Sequence, residues 1–309
     1  MGRVAAMGTG RSDCDACFKF DPIINDGVLV PGHPAPMDAI GRNDDMNHLA
    51  DPAPIELVAN QPARRRRANT RLAAREHRRG TQLLAEALEH DQFSLIRTAR
   101  LRLSDMDVVA EEVCLHWKRT GLSAAAALSA SQDSAVTQRV GRWMLDRACV
   151  AAAEVVAGPV VSVSIAPTML AGDLARDVAA ALERSGLAPA RLELRLSEAG
   201  LLEPSTEMLL CLSALRDQGV QLVLEDFGMR HGSLSLLRHL PLTALQLDPT
   251  LTHDLSPGGE DAAVVGALVA MAHALGLRVI APGIDRPDQR AALWRLGVDE
   301  GMGRGGVDS

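Results

Sequence analysis

The chain has 309 residues, 47% of them hydrophobic, and a formal net charge of -7. That is a globular composition, long enough to bury a sizeable core. With no Tyr, four Phe and three Trp the core must be aliphatic. Stacking platforms for single-stranded nucleic acid are nearly absent, and the acidic balance argues against a phosphate-backbone binder, so no nucleic-acid partner is expected.

Residues 1–80 differ from the rest. They are rich in Gly, Pro, Asp and Asn, lack a sustained period, and end in QPARRRRANTRLAAREHRRG (61–80), with eight Arg against one Glu. That segment is +7, so the remainder carries -14, the difference between -7 and +7. The composition reads as a disordered or irregular tail with a solvated basic linker. Attraction to an acidic partner or an anionic membrane surface is the other use of such a run. The start, MGRVAAMGTGR, has too short an apolar segment for a secretory signal, and no apolar run is long enough for a membrane span. A cytoplasmic protein is expected. Cys14 and Cys17 form an isolated CxxC; Cys114, Cys149 and Cys211 lie in apolar patterns that suit reduced core thiols.

From residue 81 short apolar strands alternate with amphipathic helices. Strands are predicted at 93–103, 108–117, 160–165, 191–196, 220–224, 243–247 and 277–281, with a last one near Gly297 and Val298. Between them Leu174, Val178, Ala181 and Leu182 share a helical face, as do Met208, Leu212 and Leu215, and Val264, Leu268, Met271 and Leu275. Gly186, Gly219 and Gly276 stand where left-handed helix caps are wanted. The alternation predicts an α/β fold, a modified (β/α)₈ barrel of the TIM type over residues 81–309, following the tail. The link SDMD (104–107) is too short for a crossover and makes the first strand antiparallel to the second. An open doubly wound sheet is the alternative, weakened by the absence of a Gly-rich phosphate loop after the first strand.

Barrel chemistry sits at the C-terminal strand ends. Those ends carry Glu112, Ser164, Glu198, Glu225, Asp226, Asp248, Asp285 and Glu300. Carboxylates converging on one rim repel unless a cation or proton neutralises them, which points to a divalent metal; isolated acids there can instead cap the following helices.

The runs LELRLSE (192–198), LEDFG (224–228), SLLRHLPLTALQLD (235–248), AHALGLRVIAPGID (272–285) and GVDEG (297–301) resemble a degenerate EAL domain, the bacterial cyclic di-GMP phosphodiesterase. The resemblance covers residues 81–309. It implies a modified barrel that in competent members uses Mg²⁺ or Mn²⁺ to hydrolyse cyclic di-GMP to the linear dinucleotide. The name-giving Glu-Ala-Leu matches Glu112-Val113-Cys114, and metal positions fall on Glu112, Ser164 (an Asn in the family), Glu198, Glu225 and Asp226. His116 stands in place of a ligand-contacting Arg, and Asp285 and Glu300 replace a Glu and a Gln; these three are the candidate ligand-binding residues. Gln246 replaces the Lys that activates the attacking water. Pro282 replaces a Glu proposed as general base or metal ligand. The Tyr-Gln-Pro-like segment is Arg97-Thr98-Ala99 here, and the loop after the acid pair reads Gly228-Met229-Arg230-His231-Gly232-Ser233.

Pro282 cannot take a proton and Gln246 carries no charge, so hydrolysis is expected to be absent or vestigial. A cyclic di-GMP receptor and a protein-interaction adaptor are the two non-catalytic readings, with a protein partner expected and a homodimer compatible with both. The alternative is a weak metal-dependent phosphodiesterase using Glu300, Asp285 or His231 as substitutes. His273 is expected to be a packed or hydrogen-bonded core histidine.

Overall fold

A computed structural model of the chain describes residues 80–118, 134–170, 172–201, 204–228, 234–255 and 258–303. The expected tail, the Cys14–Cys17 pair and the loop residues 229–233 lie outside these.

Eight strands close into a barrel in sequence order. They are β1 (Phe93–Arg102), β2 (Val108–Trp117), β3 (Val160–Ile165), β4 (Leu192–Ser197), β5 (Gln221–Phe227), β6 (Ala244–Leu247), β7 (Arg278–Ala281) and β8 (Glu300–Gly301). β1 runs antiparallel to both β2 and β8, and every other pairing is parallel. The physical reason is the five-residue link between β1 and β2, residues 103–107. Asp105 folds it back by accepting from Arg102 at 2.6 Å and from the Asp107 amide at 3.1 Å, and a link that short can only return the chain beside itself.

Helices cover the barrel: α1 (80–89), α2 (Ser134–Ala153), α3 (Pro167–Leu170), α4 (Leu174–Ser185), α5 (Thr206–Asp217), α6 (Leu234–His239), α7 (Pro249–His253), α8 (Glu260–Ala274) and α9 (Pro287–Arg295). α4 carries its own stop and start signals. Asp173 caps its first turn by accepting from the Arg176 amide, and Gly186 at φ 70° ends it by donating its N–H to the Leu182 carbonyl. A left-handed residue is least costly as Gly, and Asp177 and Arg184 match the helix dipole at either end. Its predicted apolar face is wholly buried. Ser205 caps α5 through the Met208 amide, and Leu212 and Leu215 are buried beneath it.

Leu192, Leu194 and Leu196 on β4 and Leu222 and Leu224 on β5 point outward into one large aliphatic core shared with α2, α4, α5 and α8. A second cluster, Leu84, Ala87, Phe93, Trp117, Val136, Val140 and Met144, seats α1 against β1, β2 and α2. There Phe93 and Trp117 meet with ring centroids 5.6 Å apart. Trp143 is only partly buried beside them.

Three predicted details differ. The last strand is Glu300–Gly301, and Gly297, at φ 88°, belongs to the turn before it. β5 extends through Phe227, so Glu225 and Asp226 lie inside the strand. In α8 the buried face is Ala262, Val265, Val269 and Ala272, while Val264 and Leu275 are each 43% exposed. The helix is apolar nearly all round, so periodicity cannot choose its inner face. His273 is correspondingly on the exposed side, bonded to Asp299 at 2.9 Å.

The face assignment is checked by paired truncation. Val269→Ala should cost about 2 kcal/mol in chemical denaturation, because a buried pair of methyl groups is lost and a cavity left. Val264→Ala should fall within about 0.5 kcal/mol of wild type.

Candidate functional site

Alternation along a strand sends every second side chain into the barrel. On β4 this face carries Glu193 and Arg195; on β3, Ser162 and Ser164; on β1, Arg100; on β2, Glu112; on β7, Arg278; on β8, Glu300. The interior is therefore charged, and it is assembled around guanidinium groups.

Arg100 is fully buried. One of its terminal nitrogens donates to both oxygens of Glu193 at 2.8 Å, and the other donates to Glu112 Oε1 at 3.3 Å. Its Nε lies 2.9 Å from Glu300 Oε2, too bent for a hydrogen bond but close in charge. Ser162 Oγ donates to Glu193 Oε1 at 2.7 Å. Arg278 closes this tier by pairing with Glu300 and donating to Gln221 Oε1 at 2.8 Å. Burial desolvates Arg100 and works against its charge, but Glu193, Glu112 and Glu300 outweigh that and hold its pKa above the ordinary value.

A second tier lies one residue pair nearer the mouth. Arg195 pairs with Glu112 Oε2, and its Nε is 3.4 Å from Glu225 Oε2. Ser164 Oγ donates to Glu225 Oε1 at 2.9 Å. Burial again opposes the Arg195 charge, and Glu112 and Glu225 again prevail, raising its pKa. Glu225 has the opposite fate. Desolvation raises its carboxyl, the neighbouring Asp226 and Glu112 add to this, and Arg195 and the Ser164 hydroxyl only partly offset it.

The sequence-predicted residues separate accordingly. Glu112, Ser164 and Glu225 converge, with Arg195 between the two carboxylates. Glu198 opens a short 3₁₀ turn (Glu198–Leu201) and is buried. Asp226 adopts φ 58° at a bulge, where the two β5 residues between Leu224 and Phe227 face the one β6 residue between Leu245 and Leu247. Asp248 caps α7 through the Thr250 amide, the helix-capping alternative at that position. Gln246 is buried on β6, and its Oε1 has no hydrogen-bond partner among the described residues. The Pro282 carbonyl accepts from Thr252 Oγ1 at 2.6 Å. Asp285 is exposed, with its amide bonded to Gln289. His116 is half-buried on β2. Glu300 is directed into the interior, onto Arg278 and Arg100. Arg97, in the Tyr-Gln-Pro-like segment, pairs with Glu111 at 3.0 Å on the surface.

A divalent ion needs several free oxygen donors. Among the described residues no three His, Cys, Asp or Glu side chains form a metal-holding group, and both oxygens of Glu112 are already engaged by guanidinium. The donor set does not fit a divalent cation as it stands. Sequence reasoning passed over Arg100, Arg195 and Arg278, although the signal for the first two was present: in TARLRL (98–103) and RLELRL (191–196) charged residues alternate with leucines on the inward phase.

The sequence profile of the EAL domain matches residues 81–305. The chain belongs to the EAL-domain family. The cyclic di-GMP phosphodiesterase NbdA of Pseudomonas aeruginosa is 31% identical over 218 residues, covering 68% of this chain and 28% of NbdA. The bifunctional diguanylate cyclase/cyclic di-GMP phosphodiesterase MucR of the same organism is 28% identical over 228 residues, covering 71% of this chain and 33% of MucR. This EAL-domain chain thus spans a third or less of the length of these relatives. The PaMucR phosphodiesterase in its cyclic di-GMP complex matches with a TM-score of 0.66 and 27% identity, over 70% of this chain and 96% of that one. Among the described residues no helix is long and apolar enough to cross a membrane.

Two outcomes test the charge architecture. Arg100→Met should destabilise by about 3–5 kcal/mol, because it leaves buried carboxylates uncompensated, whereas Arg97→Ala on the surface should cost less than about 1 kcal/mol. The Glu225 pKa is raised on folding, so its favourable contribution is complete below the ordinary value of 4.5 and is lost as pH rises through the folded value. The unfolding free energy of Glu225→Gln minus that of wild type should accordingly grow as pH rises from about 4.5, measured by denaturation at a series of pH values.

Proposed function

We propose that this chain is a non-catalytic EAL-domain protein that acts in cyclic di-GMP signalling by binding, as a cyclic di-GMP receptor or as a protein-interaction adaptor. The observation that carries the proposal is the chemistry at the ends of β6 and β7. Gln246 supplies an uncharged amide where a water-activating ammonium is implied, and Pro282 supplies a ring with no ionisable group. One missing general acid or base commonly costs about 10²–10⁴-fold in rate. Two losses from one mechanism act on the same step, so neither can be made good by the other.

Substitution from within the barrel is poorly supported. Glu300 is committed to Arg278 and Arg100. Asp285 lies on the exposed side of the loop after β7.

Incubation of the full chain with cyclic di-GMP and Mg²⁺ or Mn²⁺, with chromatographic detection of the linear dinucleotide, is expected to give no turnover. A rate of about 1 s⁻¹ or faster, ordinary for an enzyme, would sink the proposal. Calorimetric titration with cyclic di-GMP separates its two forms: saturable binding at micromolar concentration or below identifies a receptor, and no binding identifies an adaptor working through its outer surface.

A further inference from the structure

The interior charges carry one step more, which rests on the non-catalytic reading above and concerns what neutralises the barrel mouth. We infer that the Arg195 guanidinium is the resident cation of this barrel, standing between Glu112 and Glu225 in place of a divalent ion, and that the mouth of the native chain takes up no metal.

Four observations support it. Arg195 comes from β4, the strand between those bearing Ser164 and Glu225, and its side chain is 6% exposed. It pairs with Glu112 on one side and approaches Glu225 to 3.4 Å on the other, so a single planar group bridges two carboxylates from different strands. Both Glu112 oxygens already accept from guanidinium, Oε2 from Arg195 and Oε1 from Arg100. Ser164 Oγ is held against Glu225 by the hydrogen bond it donates at 2.9 Å, so the hydroxyl and this carboxylate are already engaged with each other beside the guanidinium.

A divalent ion entering here would have to displace a guanidinium buried between two carboxylates, or bind beside it at close range against like charge. Both are unfavourable in a desolvated interior, where charge interactions are poorly screened. Lys would not serve as well. Its ammonium is a point charge, whereas the guanidinium plane presents donors in two directions at once and remains ionised at any accessible pH.

The inference predicts that the carboxylates are blocked and still competent to bind metal once released. Mn²⁺ titration of the full chain, followed by the paramagnetic resonance signal of the free aqua ion, compares wild type with Glu112→Gln, so that ions bound elsewhere cancel. Wild type and Glu112→Gln should bind equal Mn²⁺. Arg195→Met should gain about one tight Mn²⁺ per chain, with a thermal midpoint that rises on Mn²⁺ addition as ligand linkage requires. Arg195→Lys, which keeps a cation, should gain none. A Mn²⁺ ion bound tightly by wild type and lost in Glu112→Gln would overturn the inference, as would a folded Arg195→Met that gains no ion. Should Arg195→Met fail to fold, the comparison of wild type with Glu112→Gln and Arg195→Lys still decides it. Metal binding by wild type without turnover would defeat this inference alone, whereas turnover would defeat the functional reading.

Discussion

A closed barrel with acids on its inner face must neutralise them from within, and that requirement organises this molecule. Glu112, Glu193, Glu225 and Glu300 project inward against Arg100, Arg195 and Arg278. Bulk solvent does not reach the centre of this set, since Glu193 and Arg100 are fully buried. Arg100 alone ties β1 to β2, β4 and β8, and it therefore holds the antiparallel strand in the seam where the barrel closes. Such pairs are a weak source of net stability compared with the aliphatic shell outside. Their stronger effect is on register. A one-residue slip of β4 would turn Glu193 and Arg195 outward into the leucine core and bring Leu194 onto the carboxylates.

The same arrangement bears on function. Acids clustered without internal cations create a potential that a metal ion can satisfy, and the chemistry of the ion then becomes available. Guanidinium groups satisfy the potential permanently and add no Lewis acid with exchangeable ligands. Once Arg195 occupies the space between Glu112 and Glu225, the residues at Gln246 and Pro282 are under no requirement to serve a metal-bound nucleophile. The replacements at Gln246 and Pro282 are thus chemically consistent with a guanidinium between Glu112 and Glu225. The leucine-rich outer layer that holds the eight strands together is independent of all of them.

The positions of the first seven strands, the antiparallel start and the helix ends were legible because each rests on local chemistry: apolar runs, a link too short to cross, Gly186 past the end of one helix. The inner face of α8 was not legible. Its sequence from Glu260 to Ala274 offers apolar residues in every direction, and only packing against β7 selects Val265 and Val269. The site was half legible. The acids at strand ends could be named, but whether a carboxylate faces a cation-sized gap or an arginine depends on long-range pairing, as between Glu112 and Arg195, 83 residues apart. The inward phase of RLELRL was readable in principle, and taking that segment as one more apolar strand concealed it.

The adjacent acids of LEDFG show how far local geometry alone can account for a motif of that kind. β5 must deliver Phe227 into the core, where it is 1% exposed, and also keep Glu225 directed at Arg195. Strict alternation already places residues 225 and 227 on the same face, so one of them would be misdirected in a regular strand. The bulge between Leu224 and Phe227 inserts the extra residue that breaks this parity. Asp226 absorbs the backbone cost at φ 58°, a conformation that Asp tolerates better than most residues, and Gly228 follows at φ 118°, where a side chain would meet Leu251. Part of the need for an acid at 226 is therefore conformational. Paired carboxylates at the end of a barrel strand indicate metal chemistry only once the cations already inside the barrel have been counted.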